Sequence, residues 1–103
     1  VAALRYESAF RQELLLAAIL TPAAFWVGQN SAQILLLIGS LVLVLIVELL
    51  NSAIEAVADA VSLETNQLLG RAKDLGSAAV FLSLLLCGAV WLVLFANRWL
   101  TFI

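Results

Sequence analysis

Long apolar runs without a single charge dominate the chain and predict membrane-spanning helices. No charged residue occurs over residues 14–47, and none occurs over residues 75–97. A membrane span requires about 20 apolar residues. The run over residues 14–47 is long enough for one span and most of another, with a polar turn at residues 27–33 between them. The run over residues 75–97 is long enough for one more span. The pattern therefore predicts three transmembrane helices, over about residues 9–27, 32–61 and 72–99.

Composition supports the membrane assignment. Apolar residues occupy 65% of the 103 positions and charged residues 12%, whereas soluble domains have roughly 45–50% and 25%. The alternation of polar and apolar residues typical of a membrane β-barrel is absent from the sequence. We therefore expect an all-α integral membrane protein with a single membrane domain over residues 1–103. The net charge of −2 is too small to indicate a nucleic-acid partner.

The basic residues predict the orientation in the membrane. Arg5 and Arg11 flank the start of the first helix, and Arg71 and Lys73 lie at the junction between the second and the third. Only Arg98 falls on the opposite side. Because cytoplasmic segments carry an excess of Lys and Arg, we expect the N-terminus and the second loop to be cytoplasmic. Trp26 and Trp99 then fall at the outer interface, while Trp91 lies deeper and is expected to pack against other helices.

Several classes of chemistry are excluded by residue counts. The sequence contains no histidine, which excludes a Ser-His-Asp triad, a Cys-His pair and a histidine-ligated metal. Cys87 is the only cysteine, which excludes an intramolecular disulfide and a cysteine-based zinc site. Cys87 lies in an apolar run, so we expect a buried, unreactive thiol.

One face of the second helix is polar. Glu48, Asn51, Glu55 and Asp59 are spaced by three, four and four residues. If this helix enters lipid near Ile34, Glu48 lies about 21 Å along it and Glu55 about 31 Å, within or at the edge of a hydrocarbon layer about 30 Å thick. An ionisable group at the depth of Glu48 is functional by default. The alternative is a neutral carboxyl that hydrogen-bonds to Asn51 or to a neighbouring helix, and Asp59 is expected to be a solvated surface charge.

Two further polar clusters open the first and third helices, at residues 7–13 and 70–77. All three clusters are predicted at the same depth, so carboxylates from two helices and cations from a third could converge. Carboxylates suit Mg²⁺, cations suit phosphate, and a deep carboxylate suits removal of a proton from a hydroxyl. The sequence has no Walker A, GxGxxG or kinase signature. The residues alone leave a membrane phosphotransferase and an ion or drug transporter as alternatives.

Three motifs in these clusters carry a family resemblance. They are Glu7-x-Ala9-Phe10-Arg11-Gln12-Glu13, Glu48-x-x-Asn51-Ser52-Ala53-Ile54-Glu55-Ala56-Val57-x-Asp59 and Arg71-Ala72-Lys73-Asp74-x-Gly76-Ser77-Ala78-Ala79. Together they resemble the prokaryotic diacylglycerol kinase family, which also includes the undecaprenol kinases of Gram-positive bacteria. The resemblance covers nearly the whole chain, and the end of the third motif is similar to the Gram-negative diacylglycerol kinases.

The resemblance implies a homotrimer in the bacterial inner membrane, with sites between neighbouring subunits. ATP and Mg²⁺ would enter from the cytoplasm, and diacylglycerol would enter from the bilayer. Members of the family usually begin with an amphipathic helix on the cytoplasmic surface, and we expect most of it to be missing ahead of Glu7. Residues 64–69 replace a more acidic, histidine-bearing stretch of the family, so contacts to adenine and ribose are not assigned.

Residue roles follow from the motif match. Glu48 would be the general base that removes the proton of the diacylglycerol hydroxyl, and Glu7 and Glu55 would hold the metal ions that bridge the ATP phosphates. The catalytic set would be completed by Asn51, Lys73 and Asp74. Nucleotide binding would involve Glu7, Glu55, Lys73 and Asp74. Lipid binding would involve Ala9, Phe10, Arg11, Gln12, Glu13, Glu48 and Ser77.

The leading hypothesis is thus ATP-dependent phosphorylation of 1,2-diacylglycerol to phosphatidic acid. One alternative keeps the reaction and changes the lipid to undecaprenol. A different class is a small proton-coupled multidrug transporter, which would need Glu48 but would not need Lys73 or ATP. A purely structural membrane subunit would have no use for Glu7, Glu48 and Glu55 at matched depth.

Overall fold

The computed structural model is an antiparallel bundle of three α-helices. It describes residues 8–61 and 67–102, so Glu7 lies outside the described residues. Within these ranges there is no strand. The helices are α1 (Ser8–Val27), α2 (Ser31–Val61) and α3 (Gln67–Phe102). Each is long and apolar enough to cross a membrane, which confirms the predicted all-α membrane protein with three spans.

The third helix is longer than the sequence suggested. It begins at Gln67, five residues before the expected position, and ends at Phe102, three residues after it. The expected start was placed after Gly70, but a single glycine inside a helix costs only about 1 kcal/mol. Good helix formers surround Gly70 in the segment Gln67-Leu-Leu-Gly-Arg71. The helix therefore continues through this glycine.

A short turn at residues 28–30 joins α1 to α2. Asn30 caps α2, because its Oδ1 accepts a hydrogen bond of 2.9 Å from the backbone N–H of Gln33. The Gln33 side chain in turn accepts a bond of 3.0 Å from the backbone N–H of Gln29. A Cβ at Gly28 would lie only 2.9 Å from the backbone nitrogen of Ile34, so the tightness of the turn requires glycine.

The two ends of the bundle differ in character. At the turn end, where α1 ends and α2 begins, a small apolar core contains Ala24, Val27, Leu37 and Leu94. Trp91 packs against this core and donates a hydrogen bond of 3.2 Å to the carbonyl of Leu37, which confirms its predicted packing role. The opposite end, where α1 begins and α3 begins, carries every described charge except Arg98. We call it the charged end.

Most large apolar side chains point away from the bundle. Leu35 and Leu92, for example, are 71% and 72% exposed. The buried positions of α2 follow the helical period and form one stripe facing the other helices. They are Leu37, Ser40, Leu41, Val44, Glu48, Asn51 and Ala58. An apolar surface this extensive requires cover by lipid or by other helices, and the stripe changes from apolar to polar toward the charged end.

Candidate active site

Glu48 and Asn51 lie on the buried stripe of α2, at the charged end of the bundle. They are 8% and 9% exposed, although both are polar. Asn51 Nδ2 donates a hydrogen bond of 3.3 Å to Oε1 of Glu55, which lies one turn further along and is partly buried. Helical spacing alone brings these three side chains to one face, as the sequence predicted. They form a polar surface directed toward α1 and α3.

A carboxyl group from α1 meets Glu48. The side chains of Glu13 and Glu48 share a hydrogen bond across the α1–α2 contact. The second oxygen of Glu13, Oε2, is buried and has no hydrogen-bond partner within the described part of the chain. Because an ionised carboxylate can only accept, two carboxyl groups hydrogen-bond to each other only when one of them carries a proton. Glu48 therefore has a titratable partner that its own helix does not supply.

Asn51 is in close contact with α3. A Cβ at Gly76 would overlap Oδ1 of Asn51, so only glycine permits α3 to approach this closely. Asn51 Oδ1 is buried and accepts no hydrogen bond from the residues that the structure describes. Buried polar atoms are nearly always paired, so this unpaired acceptor, packed against Gly76, is an unusual feature of the α2–α3 contact.

A cation from α3 reaches across to α2. Lys73 Nζ donates a hydrogen bond of 2.7 Å to Oδ1 of Asp59, and the two side chains are 43% and 64% exposed. Glu55 is close enough to Lys73 to attract it electrostatically. Lys73 is therefore held beside the Glu55 end of the polar surface but remains open to water. The structure thus gives Asp59, expected to be a solvated charge, a specific partner.

Other predicted site residues are not brought to this cluster within one chain. Asp74 and Ser77 are exposed, and Asp74 projects from a different side of α3 than Gly76. Of the predicted lipid-binding residues of α1, Phe10 is 8% exposed, while Arg11 and Gln12 are exposed. Ala9 belongs to α1.

The oxygen ligands at this end suit a hard cation. The described residues contain no group of three His, Cys, Asp or Glu side chains placed to hold a metal ion. Mg²⁺, however, needs only one or two carboxylates when waters and substrate phosphates complete its shell. Of the two predicted ligands, Glu55 lies on the polar surface of α2, and Glu7 lies outside the described residues.

Three contacts of the site were not predicted from the sequence. The bond between Glu13 and Glu48, the contact of Gly76 with Asn51 and the Lys73–Asp59 pair each join two helices. The sequence signal for them was only that all these positions belong to the three polar clusters.

The sequence matches one family of known proteins over most of its length. The prokaryotic diacylglycerol kinase family matches residues 1–95. A diacylglycerol kinase of Haemophilus influenzae is 49% identical over 89 residues, which cover 86% of this chain and 75% of that protein. One of Escherichia coli K12 is 46% identical over 85% of this chain and 72% of its own length. One of Pseudomonas aeruginosa is 50% identical over 88% and 74%. The chain therefore belongs to the prokaryotic diacylglycerol kinase family.

Proposed function

We propose that the protein transfers the γ-phosphoryl group of ATP to the free hydroxyl of 1,2-diacylglycerol, giving ADP and phosphatidic acid. The observation that carries this proposal is the buried carboxyl of Glu48 at the charged end of a membrane bundle. A base at that place meets a hydroxyl that belongs to the bilayer rather than to water. Family membership makes the protein a lipid kinase, which contradicts the transporter alternative.

Glu48 acts as the general base. As the lipid hydroxyl oxygen forms its bond to the γ-phosphorus, the bond from that phosphorus to the bridging oxygen of ADP breaks, and the hydroxyl proton passes to Glu48. Asn51 lies one turn from Glu48 and donates a hydrogen bond to Glu55, which supports the proposal that Asn51 helps to hold the groups of the site in place. Positioning of this kind supplies a large part of the rate in phosphoryl transfer.

Lys73 stabilises the phosphate oxygens. Its ammonium group is partly exposed, tethered by Asp59 and close to Glu55, so it is available to a nucleotide that approaches from water. Fixed positive charge at a transferring phosphoryl group lowers the barrier because negative charge is spread over its oxygens. We assign Asp74 to the same nucleotide site.

Glu7 and Glu55 would hold Mg²⁺, which binds ATP phosphates and neutralises their charge when it is present. Asn51 donates to Glu55 at 3.3 Å and so fixes one of the two carboxylates. The chemistry of the donor set, oxygen only, agrees with this ion.

We place the charged end at the cytoplasmic face of the bacterial inner membrane, because three of the four described basic residues belong to it. Lipid contacts are assigned to the start of α1 and to three further residues. They are Ala9, Phe10, Arg11, Gln12, Glu13, Glu48 and Ser77.

Asp74 and Ser77 are exposed in the single chain, which supports a homotrimer in which these side chains face the site of a neighbouring subunit.

The test is transfer of labelled γ-phosphate from Mg-ATP by purified protein in mixed micelles. Diacylglycerol and undecaprenol are offered in parallel, and Glu48→Gln serves as the blank because it keeps the shape of the side chain and removes the base. We expect label in phosphatidic acid, and a loss of about 10²–10⁴-fold in kcat for Glu48→Gln.

Each other outcome has a defined meaning. Label in undecaprenyl phosphate alone would move the assignment to the undecaprenol kinases of the same family. Label in neither lipid, from protein that is folded and oligomeric, would contradict the proposed activity. Near-full turnover by Glu48→Gln would show that another group is the base.

A further inference from the structure

The carboxyl groups of Glu13 and Glu48 are hydrogen-bonded to each other across the contact of α1 with α2. Glu48 is 8% exposed, and Glu13 is partly buried. Two ionised carboxylates at this separation would repel each other strongly where water is scarce. The pair is therefore stable with a single negative charge and one shared proton.

The buried oxygen of Glu13 indicates which residue carries that proton. Oε2 of Glu13 is shielded from solvent and has no hydrogen-bond partner among the described residues. A buried oxygen without a hydrogen-bond partner costs free energy. The cost is much larger when the oxygen belongs to an ionised carboxylate than when it belongs to a neutral acid. Glu48, in contrast, is the member that the proposed reaction requires in its ionised form.

We propose that Glu13 is a positioning residue, a neutral acid that donates a hydrogen bond to the Glu48 carboxylate and fixes the orientation of this base toward the lipid hydroxyl. The inference rests on the proposed role of Glu48. Glu13 transfers no proton to the substrate. It restricts the Glu48 side chain to one arrangement.

Two substitutions at Glu13 separate this role from a role as a charged group. Glu13→Gln keeps a donor of similar length, whereas Glu13→Ala removes it. A hydrogen bond to a charged group contributes enough that we expect kcat to fall about ten- to a hundredfold in Glu13→Ala and to stay within about fivefold of wild type in Glu13→Gln. The KM for Mg-ATP should remain similar in both. Leu15→Ala, which truncates an exposed side chain on the same helix, is the matched control.

Infrared spectroscopy provides a readout that requires no turnover. The carbonyl stretch of a protonated carboxylic acid should be visible at neutral pH in the wild type. It should disappear in Glu13→Gln and remain, shifted, in Glu48→Gln. This pattern would place the proton on Glu13 even if Glu13→Ala fails to fold.

Three outcomes would overturn the inference. The first is the absence of the infrared band in the wild type. The second is loss of the band in Glu48→Gln together with its retention in Glu13→Gln. The third is an equal loss of kcat in Glu13→Gln and Glu13→Ala. Failure of the proposed function is distinct, because it would show as no phosphate transfer by the wild type while the infrared band is unaffected.

Discussion

Gly76 of α3 lies directly against the side-chain amide of Asn51 on α2, and a Cβ at position 76 would overlap Asn51 Oδ1. The amide nitrogen of Asn51 is engaged with Glu55, so the side chain cannot move freely. The missing side chain at Gly76 therefore sets the distance between two helices and keeps Asn51 in place between Glu48 and Glu55.

Gly76→Ala should damage both stability and activity. The added methyl group must displace either Asn51 or the α3 backbone, and overpacking of this kind typically costs about 1–3 kcal/mol. Because a small misplacement of site groups is costly to phosphoryl transfer, we expect kcat to fall by roughly a hundredfold. Thermal unfolding in detergent and the labelled-phosphate assay measure the two effects.

Gly88→Ala is the matched control on the same helix, since a Cβ there meets nothing within 4 Å. Alanine is the better helix former by about 0.5–1 kcal/mol, so this variant should be at least as stable as the wild type and fully active. Equal behaviour of the two variants would show that the contact of Gly76 with Asn51 is unimportant.

Trp91→Phe should lower stability without affecting catalysis. Trp91 Nε1 donates to the carbonyl oxygen of Leu37 at 3.2 Å, and Ser40 Oγ donates to the same oxygen at 2.8 Å. Phenylalanine keeps most of the packing and removes one donor, which should reduce the free energy of unfolding by about 1 kcal/mol. Denaturation in mixed micelles measures it. A clear loss of kcat in a variant of unchanged stability would contradict this purely structural role.

What the sequence could predict is what a single helix determines. Glu48, Asn51 and Glu55 share a face because the period of the α-helix places them there, whatever the rest of the chain does. The three spans follow in the same way from the lengths of the charge-free runs.

The contacts that the sequence could not predict depend on the rotational orientation of each helix about its own axis in the bundle. α1 and α3 are apolar nearly all round, so their patterns do not indicate which side faces α2. The encounter of Glu13 with Glu48 and that of Lys73 with Asp59 are set by this rotation. The separation of Asp74 from Lys73 is different, because helical spacing alone places neighbouring residues on different sides of α3.

Glu55→Gln should change the metal requirement more than the maximal rate. The amide can still accept a hydrogen bond from Asn51, so the local structure should persist, but an amide oxygen is a weaker ligand for a hard cation than a carboxylate. We expect the Mg²⁺ concentration for half-maximal activity to rise, with kcat largely recovered at saturating Mg²⁺, and the same for Glu7→Gln. Titration of activity with Mg²⁺ is the measurement. A uniform fall in rate at every Mg²⁺ concentration would contradict metal binding by Glu55.

Exchange of the charges of Lys73 and Asp59 separates a structural ion pair from a catalytic cation. The pair is largely exposed, with side chains 43% and 64% accessible, so it should contribute little to stability. Lys73→Gln should therefore unfold at nearly the wild-type temperature and yet lose about a hundredfold in kcat, because the cation proposed to stabilise the phosphate is removed. Asp59→Asn should show a smaller loss of kcat, since this substitution breaks the ion pair but keeps the Lys73 side chain.

The double variant Lys73→Asp, Asp59→Lys keeps one charge of each sign on the two helices and moves the cation from α3 to α2. If Lys73 acts on the phosphate of ATP, this variant should be as inactive as Lys73→Gln in the labelled-phosphate assay, and thermal unfolding should show that it is folded. Recovery of activity in the exchanged pair would mean that only the link between α2 and α3 matters, and that phosphate is stabilised by another residue.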